Sequence, residues 1–113
     1  LFNHLKNKSM PTKKGDFVLL RTFSSGIHFG FLEEKSITAG FFVVCLSRAK
    51  RLWNWTGALS LSEVAMIGPQ ISGSKIAVTV DEIELPNVIE IIPISSKSTL
   101  NSLYERKRVS ADV

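Results

Sequence analysis

Gly40-Phe41-Phe42-Val43-Val44-Cys45-Leu46 is the stretch on which the fold turns. Aromatic and β-branched side chains fill odd and even positions alike, the pattern of a strand buried on both faces rather than one that alternates inward and outward. It is expected at the middle of a sheet. Upstream, Glu33-Glu34-Lys35-Ser36 reads as a polar turn, and before it Ile27 to Leu32 alternates, with Ile27, Phe29 and Phe31 facing a core and His28, Gly30 and Leu32 the other way. Phe17-Val18-Leu19-Leu20-Arg21 is a β-rich run joined to that strand by Ser24-Ser25-Gly26, which supplies the glycine and small polar residues of a tight hairpin.

Downstream, Arg48-Ala49-Lys50-Arg51-Leu52-Trp53-Asn54-Trp55 in extended form puts Arg51, Trp53 and Trp55 on one face and Lys50, Leu52 and Asn54 on the other. Thr56-Gly57 breaks the run. Ser60 with Glu63 three residues on makes a capping box ahead of Val64-Ala65-Met66-Ile67, so a helix of about two turns is expected, ended by Gly68-Pro69. Lys75 to Val80 reads as a strand with Ile76, Val78 and Val80 inward, Pro86-Asn87 as a turn, and Val88 to Ile92 as a last strand that Pro93 ends. Ser95 to Ser98 offers N-caps for a C-terminal helix whose Leu100, Leu103 and Tyr104 stripe docks on the sheet. The expected fold is α+β: a five- or six-stranded, mostly antiparallel β-sheet or small partly open barrel with two short helices.

Composition bounds the rest. With 113 residues, 44% apolar and 21% charged, the chain suits one domain with one modest core. Its organisation is expected to be a flexible basic arm over residues 1–14, an α+β domain over 15–105 and a flexible tail over 106–113. Residues 1–9, ahead of Met10, read either as a fragment end or as an upstream extension outside the fold. No apolar run reaches the roughly 18 residues of a membrane span, and the N-terminal segment is too polar for a secretory signal. Cys45 is the one cysteine; flanked by Val44 and Leu46, it reads as a small buried hydrophobe in a reducing compartment. The net charge of +4 draws on the two ends, through Lys6, Lys8, Lys13 and Lys14 and then Arg106, Lys107 and Arg108, which read as solvated flanks.

Catalysis needs convergent titratable groups, and the chain offers only His4 and His28 as histidines, neither in a triad-like setting. No catalytic residue, cofactor or metal site is expected, because ligand spacing and phosphate-binding glycine loops are both missing. An enzyme would need a pocket joining His28 to a carboxylate such as Glu90; as a lone strand histidine, His28 is more simply a surface or packing residue. Asp81, Glu82, Glu84 and Glu90 fit the polar side of half-exposed strands. The run from Arg48 to Trp55 carries the one site hypothesis. Arg48, Lys50, Arg51, Trp53 and Trp55, with His28, form a candidate binding face on which bases stack while the cations meet phosphate. The simpler reading makes the two tryptophans core anchors and the arginines their packing partners; exposure decides between them.

Arg21-Thr22-Phe23-Ser24-Ser25-Gly26-Ile27-His28-Phe29-Gly30, Ser47 through Ala58, Leu61-Ser62-Glu63-Val64-Ala65 and Glu90-Ile91-Ile92-Pro93 together resemble a family of small tailed-phage and prophage proteins classed only as a domain of unknown function. The resemblance runs from about Asp16 to Ile94. Family members usually carry two adjacent arginines after the alanine, where this chain has Lys50 and Arg51, and a lysine cannot make an arginine's bidentate contact. The resemblance implies a phage or prophage origin and expression in the cytoplasm of a bacterial host; it implies no catalytic residues. The expected function is that of a non-catalytic phage accessory protein, a protein-interaction module meeting a virion or host protein or forming a homo-oligomer, with no membrane partner. The alternative is a nucleotide or single-stranded nucleic-acid binder using the basic tryptophan face.

Overall fold

Thr22 builds the first turn with its own side chain. Its hydroxyl donates to the Gly26 carbonyl at 2.7 Å and accepts from the Ser25 amide at 2.9 Å, while Gly26 holds a φ of 92° that a side chain would resist. The turn joins β1, Phe17–Thr22, to β2, Ile27–Thr38, which pair antiparallel from Phe17 opposite Phe31 to Arg21 opposite Ile27. The computed structural model describes residues 12–106; residues 1–11 of the expected arm and 107–113 of the expected tail lie outside the described residues.

β2 does not stop at Glu33-Glu34-Lys35-Ser36, where a turn is expected. It runs through them to Thr38, and the chain reverses at Ala39-Gly40, with φ values of 52° and 87°. Two successive positive φ angles give the two-residue turn whose twist matches a hairpin. The polar residues fit a strand because this half of β2 is at most partly buried. β3, Phe41–Asn54, pairs with β2 along its length; on its other edge it meets first β5, Val80–Pro93, then β4, Lys75–Ile76. β5 also pairs with β1, from Val18 opposite Pro93 to Thr22 opposite Val88. The antiparallel pairings therefore run β1–β2–β3–β5 and back to β1, with β4 attached to β3. The fold is α+β, a mostly antiparallel five-stranded sheet with two short helices.

Strands this long meet only by bending, and bulges supply the bends. Between the pairs Phe29–Lys50 and Phe31–Ser47, β3 sets Arg48 and Ala49 against Gly30 alone. Arg48 takes a φ of 49°, and a Cβ on Gly30 would lie 2.8 Å from the Ala49 Cα, so this crossing requires glycine. Pro86 and Asn87, expected as a turn between strands, are instead a bulge within continuous β5, with Asn87 at a φ of 56°. A bulge is one of the few places where a proline can sit in a ladder.

Two apolar clusters lie on opposite faces. Val18, Leu20, Leu32, Val44, Leu46, Ala49, Leu85 and Val88 fill the inside of the strand circuit. Leu19, Phe29 and Leu52 point outward and are covered by α1, Leu61–Met66, by Ile76, and by α2, Leu100–Tyr104. The strand buried on both faces is thus β1, not the Phe41 to Leu46 stretch, where only Val44 and Leu46 are buried. Cys45 accordingly faces out and is half-buried, not enclosed. Beyond Ile76 the expected strand does not continue: residues 77–79 lack ladder pairing, and Val78 and Val80 are exposed where they were expected inward.

The first helix follows its sequence signal, whereas α2 starts after Thr99, which makes no side-chain cap bond, and not directly after one of the expected serines Ser95 to Ser98. The Ser60 hydroxyl accepts from the Glu63 amide at 3.2 Å, and the Glu63 carboxylate accepts from the Leu59 amide at 2.7 Å. The far end of α1 is capped by the segment leading into α2. Ser98 donates to the Val64 carbonyl and accepts from the Leu100 amide, while the Ser95 and Thr99 amides donate to the carbonyls of Ala65 and Ile67. Each helix is too short to persist alone, so they stand as a pair against the outer face.

Gly30→Ala should lower unfolding free energy by about 2 kcal/mol, since the new methyl meets backbone that cannot rotate away. Denaturant midpoints of the two proteins measure this; a loss below about 0.5 kcal/mol would mean that β2 and β3 part easily at the bulge.

Candidate functional site

The bulge at Arg48 sorts the Arg48 to Trp55 run onto different sides of the sheet. Arg48 turns outward, its guanidinium carbon 4.1 Å above the Phe31 ring, while its carbonyl accepts from the Tyr104 hydroxyl at 2.5 Å. It caps an aromatic cluster of Phe17, Phe29, Phe31 and Tyr104 with ring centroids 4.9 to 6.1 Å apart. Lys50 is only 3% exposed. Its ammonium lies 5.2 Å from the Tyr104 ring centroid and donates to the Arg106 carbonyl. Burial lowers its pKa from 10.5, with the Glu105 charge opposing. Lys50 is therefore a fastening for the end of α2, occupied and shielded from a phosphate group.

Arg51 and Trp53 emerge on the other side. Arg51 is exposed, and its guanidinium rests on the Gly26 turn, 2.9 Å from where a Cβ on that residue would sit. Trp53 is 52% exposed, and the Lys75 ammonium sits 4.5 Å above its ring. Trp55 lies past the end of β3 and packs half-buried against the outer cluster. The structure thus brings Arg51, Trp53 and Lys75 together and sends Arg48 and Lys50 elsewhere. Lys75 is legible as the start of a strand but not as a neighbour of Trp53, because the strand that it pairs with is not written in the linear sequence.

His28 lies opposite Arg51 on β3 and Leu20 on β1. It is buried, with Nε2 donating to the Ser25 carbonyl at 2.8 Å. Desolvation lowers its pKa from 6.5; the Ser25 contact raises it and the Arg51 charge lowers it further. Glu90 is paired with Arg21 at 3.4 Å, on the strand face opposite His28. No His28–Glu90 pocket forms.

On the outer face of β2, β3 and β5, Glu34 lies opposite Cys45 and Cys45 opposite Glu84, with Glu82 opposite Ser47 and Glu33 accepting from the Ser47 hydroxyl at 2.7 Å. Burial raises the Cys45 pKa, and the charges of Glu82, Glu84, Glu33 and Glu34 raise it further. The thiol is held protonated, the opposite of an activated nucleophile. Among the described residues no three His, Cys, Asp or Glu side chains converge on a metal position, and no helix is long and apolar enough to cross a membrane.

One end of the sheet gathers apolar side chains that nothing in the described chain covers. Phe42 pairs with Ile37 on β2 and with Val88 on β5, Thr22 meets Val88 from the other side, and the Phe23 amide donates to the Asn87 carbonyl at 2.9 Å. At this meeting point Phe23 is 75% and Ile37 67% exposed, with Phe41, Phe42 and Ile89 also exposed. The segments that build it, residues 22–27, 36–42 and 85–89, carry no lysine, arginine, aspartate or glutamate. Sequence periodicity missed this surface because Phe41 and Phe42 head an apolar run that looks like interior.

A family described as Domain of unknown function (DUF6948) matches residues 15–101. No curated protein and no solved structure matches the chain.

The buried histidine has a measurable consequence. A folded-state pKa below that of the unfolded chain means that stability is intact above pH 6.5 and is lost as pH falls toward the folded value. Thermal midpoints measured from pH 7.5 down to pH 5.5 should decline, and His28→Gln, which keeps a donor for Ser25, should flatten that slope. An unchanged slope would assign the acid sensitivity to other groups.

Proposed function

Because the chain belongs to the family described as Domain of unknown function (DUF6948), whose description assigns no activity, we propose a function from the geometry: a non-catalytic protein-interaction module whose contact surface is the apolar end formed by Phe23, Ile37, Phe41, Phe42 and Ile89. The observation that carries it is that the strand segments bearing them meet, Ile37 opposite Phe42, Phe42 opposite Val88 and Val88 opposite Thr22, with these apolar side chains left exposed around that meeting. Singly exposed apolar residues, such as Leu59 at 96%, are ordinary. Five at the junction of four strands, three of them phenylalanine, match the aromatic-rich, charge-poor centre of a protein contact. The phage or prophage origin that the resemblance implies extends the proposal: the partner is a virion or host protein, met in the cytoplasm of a bacterial host.

Affinity capture from induced or infected cells, with nuclease treatment, tests this reading. Wild-type chain should retain a protein that the double variant Phe23→Ser, Ile37→Ser loses, while Leu59→Ser retains it. Identical profiles for all three would remove the apolar end as the contact surface.

A second reading has its own observation. Trp53 stands half-exposed beside Arg51 with Lys75 over its ring, so a base could replace the ammonium on the indole face while both cations turn to phosphate. Base stacking and counterion release then predict tryptophan quenching by single-stranded oligonucleotides that weakens steeply with salt. Absence of quenching at low salt, or equal quenching in Trp53→Phe, would end this reading.

A further inference from the structure

Resting on the second reading, in which a base stacks on Trp53, we infer that the ligand is an internal nucleotide of a single strand, its two flanking phosphates held one by Arg51 and the other by Lys75. The two cations reach the indole from opposite sides. Leu52, just before Trp53, pairs with Ile27 of β2 on one edge of β3 and with Ile76 of β4 on the other. Arg51 stands two residues before Trp53 on the same face, about 7 Å away along the strand, and its guanidinium lies over Gly26, on the β2 side. Lys75 comes from β4, opposite Asn54, the residue after Trp53, and its ammonium is 4.5 Å from the indole centroid. Positive charge therefore brackets the ring both along β3 and across it.

Neither charge is spent on a carboxylate. Among the described residues the ion pairs are Lys14 with Glu33 and Arg21 with Glu90. Glu34, Glu82 and Glu84 gather around Cys45, on the face of β3 opposite to the one that Ala49, Arg51 and Trp53 share by alternation. Arg51 is nonetheless held in place, because Gly26 has no side chain and its backbone seats the guanidinium, 2.9 Å from where a Cβ would be. A guanidinium positioned by packing and not by an acid keeps its charge and its planar fork for phosphate.

Such an arrangement selects a position within a strand. Every internal nucleotide has one phosphate on its 5′ side and one on its 3′ side, so a base laid on the indole carries a phosphate to each cation. A free nucleoside diphosphate has both phosphates on one side of the sugar and satisfies only one cation. In a duplex the base faces are covered by their neighbours and reach the indole only by leaving the stack. Stacking on an indole tolerates any base, so the feature recognised is phosphate on both sides and not sequence.

Tryptophan fluorescence titrations of the full chain at low salt decide the matter, with thymidine 3′,5′-bisphosphate, thymidine 5′-diphosphate and an oligothymidylate as probes. The two small probes carry the same base and the same number of phosphates and differ in where the phosphates sit. The bisphosphate should bind at least about fivefold more tightly than the 5′-diphosphate, since it engages the second cation. With the oligothymidylate, log affinity against log salt should fall with a slope of about −1.4, from two phosphates at about 0.7 each, and Arg51→Gln and Lys75→Gln should each reduce the slope to about −0.7. Circular dichroism verifies that both variants are folded. A smaller ratio between the small probes, or a slope unchanged in either variant, overturns the inference and leaves Trp53 as a stacking site for nucleotides. No quenching by any of the probes removes the inference and the second reading together.

Discussion

The two-against-one crossing of Arg48 and Ala49 over Gly30 governs where every later residue of β3 points. Leu46 faces the inside of the strand circuit. Strict alternation from there would aim Arg48 and Lys50 inward as well, placing two cations among Leu20, Leu32 and Val44 with no acidic partner, at a cost no core of this size could offset. The extra residue reverses the parity. Ala49 fills the inner position, Arg48 lies over Phe31, and Lys50 swings beneath Tyr104. Glycine opposite the bulge is what lets the two backbones approach closely enough for this to happen.

That reversal also links the two apolar clusters. β1 contributes alternately to both, Val18 and Leu20 inside and Leu19 outside, and is fully buried from Val18 to Leu20. The outer cluster would be open to water without the helices, and α1 and α2 are held there by Ser98 and Thr99, which satisfy the carbonyls at the end of α1 while starting α2. The sheet thus orders the helices, and the helices complete the burial of the sheet; neither part has enough apolar contact to stand without the other.

Where a local signal carries its own mechanism, the sequence was a reliable guide. The Ser24-Ser25-Gly26 turn, the Ser60–Glu63 cap and the Leu100, Leu103, Tyr104 stripe each formed as their chemistry dictates. Failures came where tertiary pairing overrode composition. Glu33 to Ser36 resembled a turn because polar side chains on the exposed half of a hairpin have a turn's composition, and the real reversal at Ala39-Gly40 lacks the usual asparagine. Phe41 and Phe42 resembled a core because periodicity reports apolarity and not what lies opposite. Of the candidate binding face, Arg51 and Trp53 were legible by alternation alone, but the burial of Lys50 and the arrival of Lys75 depend on contacts with residues more than 20 positions away.

The Lys50 ammonium, enclosed under the Tyr104 ring and bonded to the Arg106 carbonyl, ties the chain just after α2 back to β3. Cutting the chain before this residue would leave a desolvated cation with an empty acceptor position. A fusion or affinity tag placed directly after Leu103 would trade that anchor for a linker, whereas one attached beyond Arg106 leaves it intact. What a tag beside α2 disturbs is therefore decided by a lysine half a chain away from it.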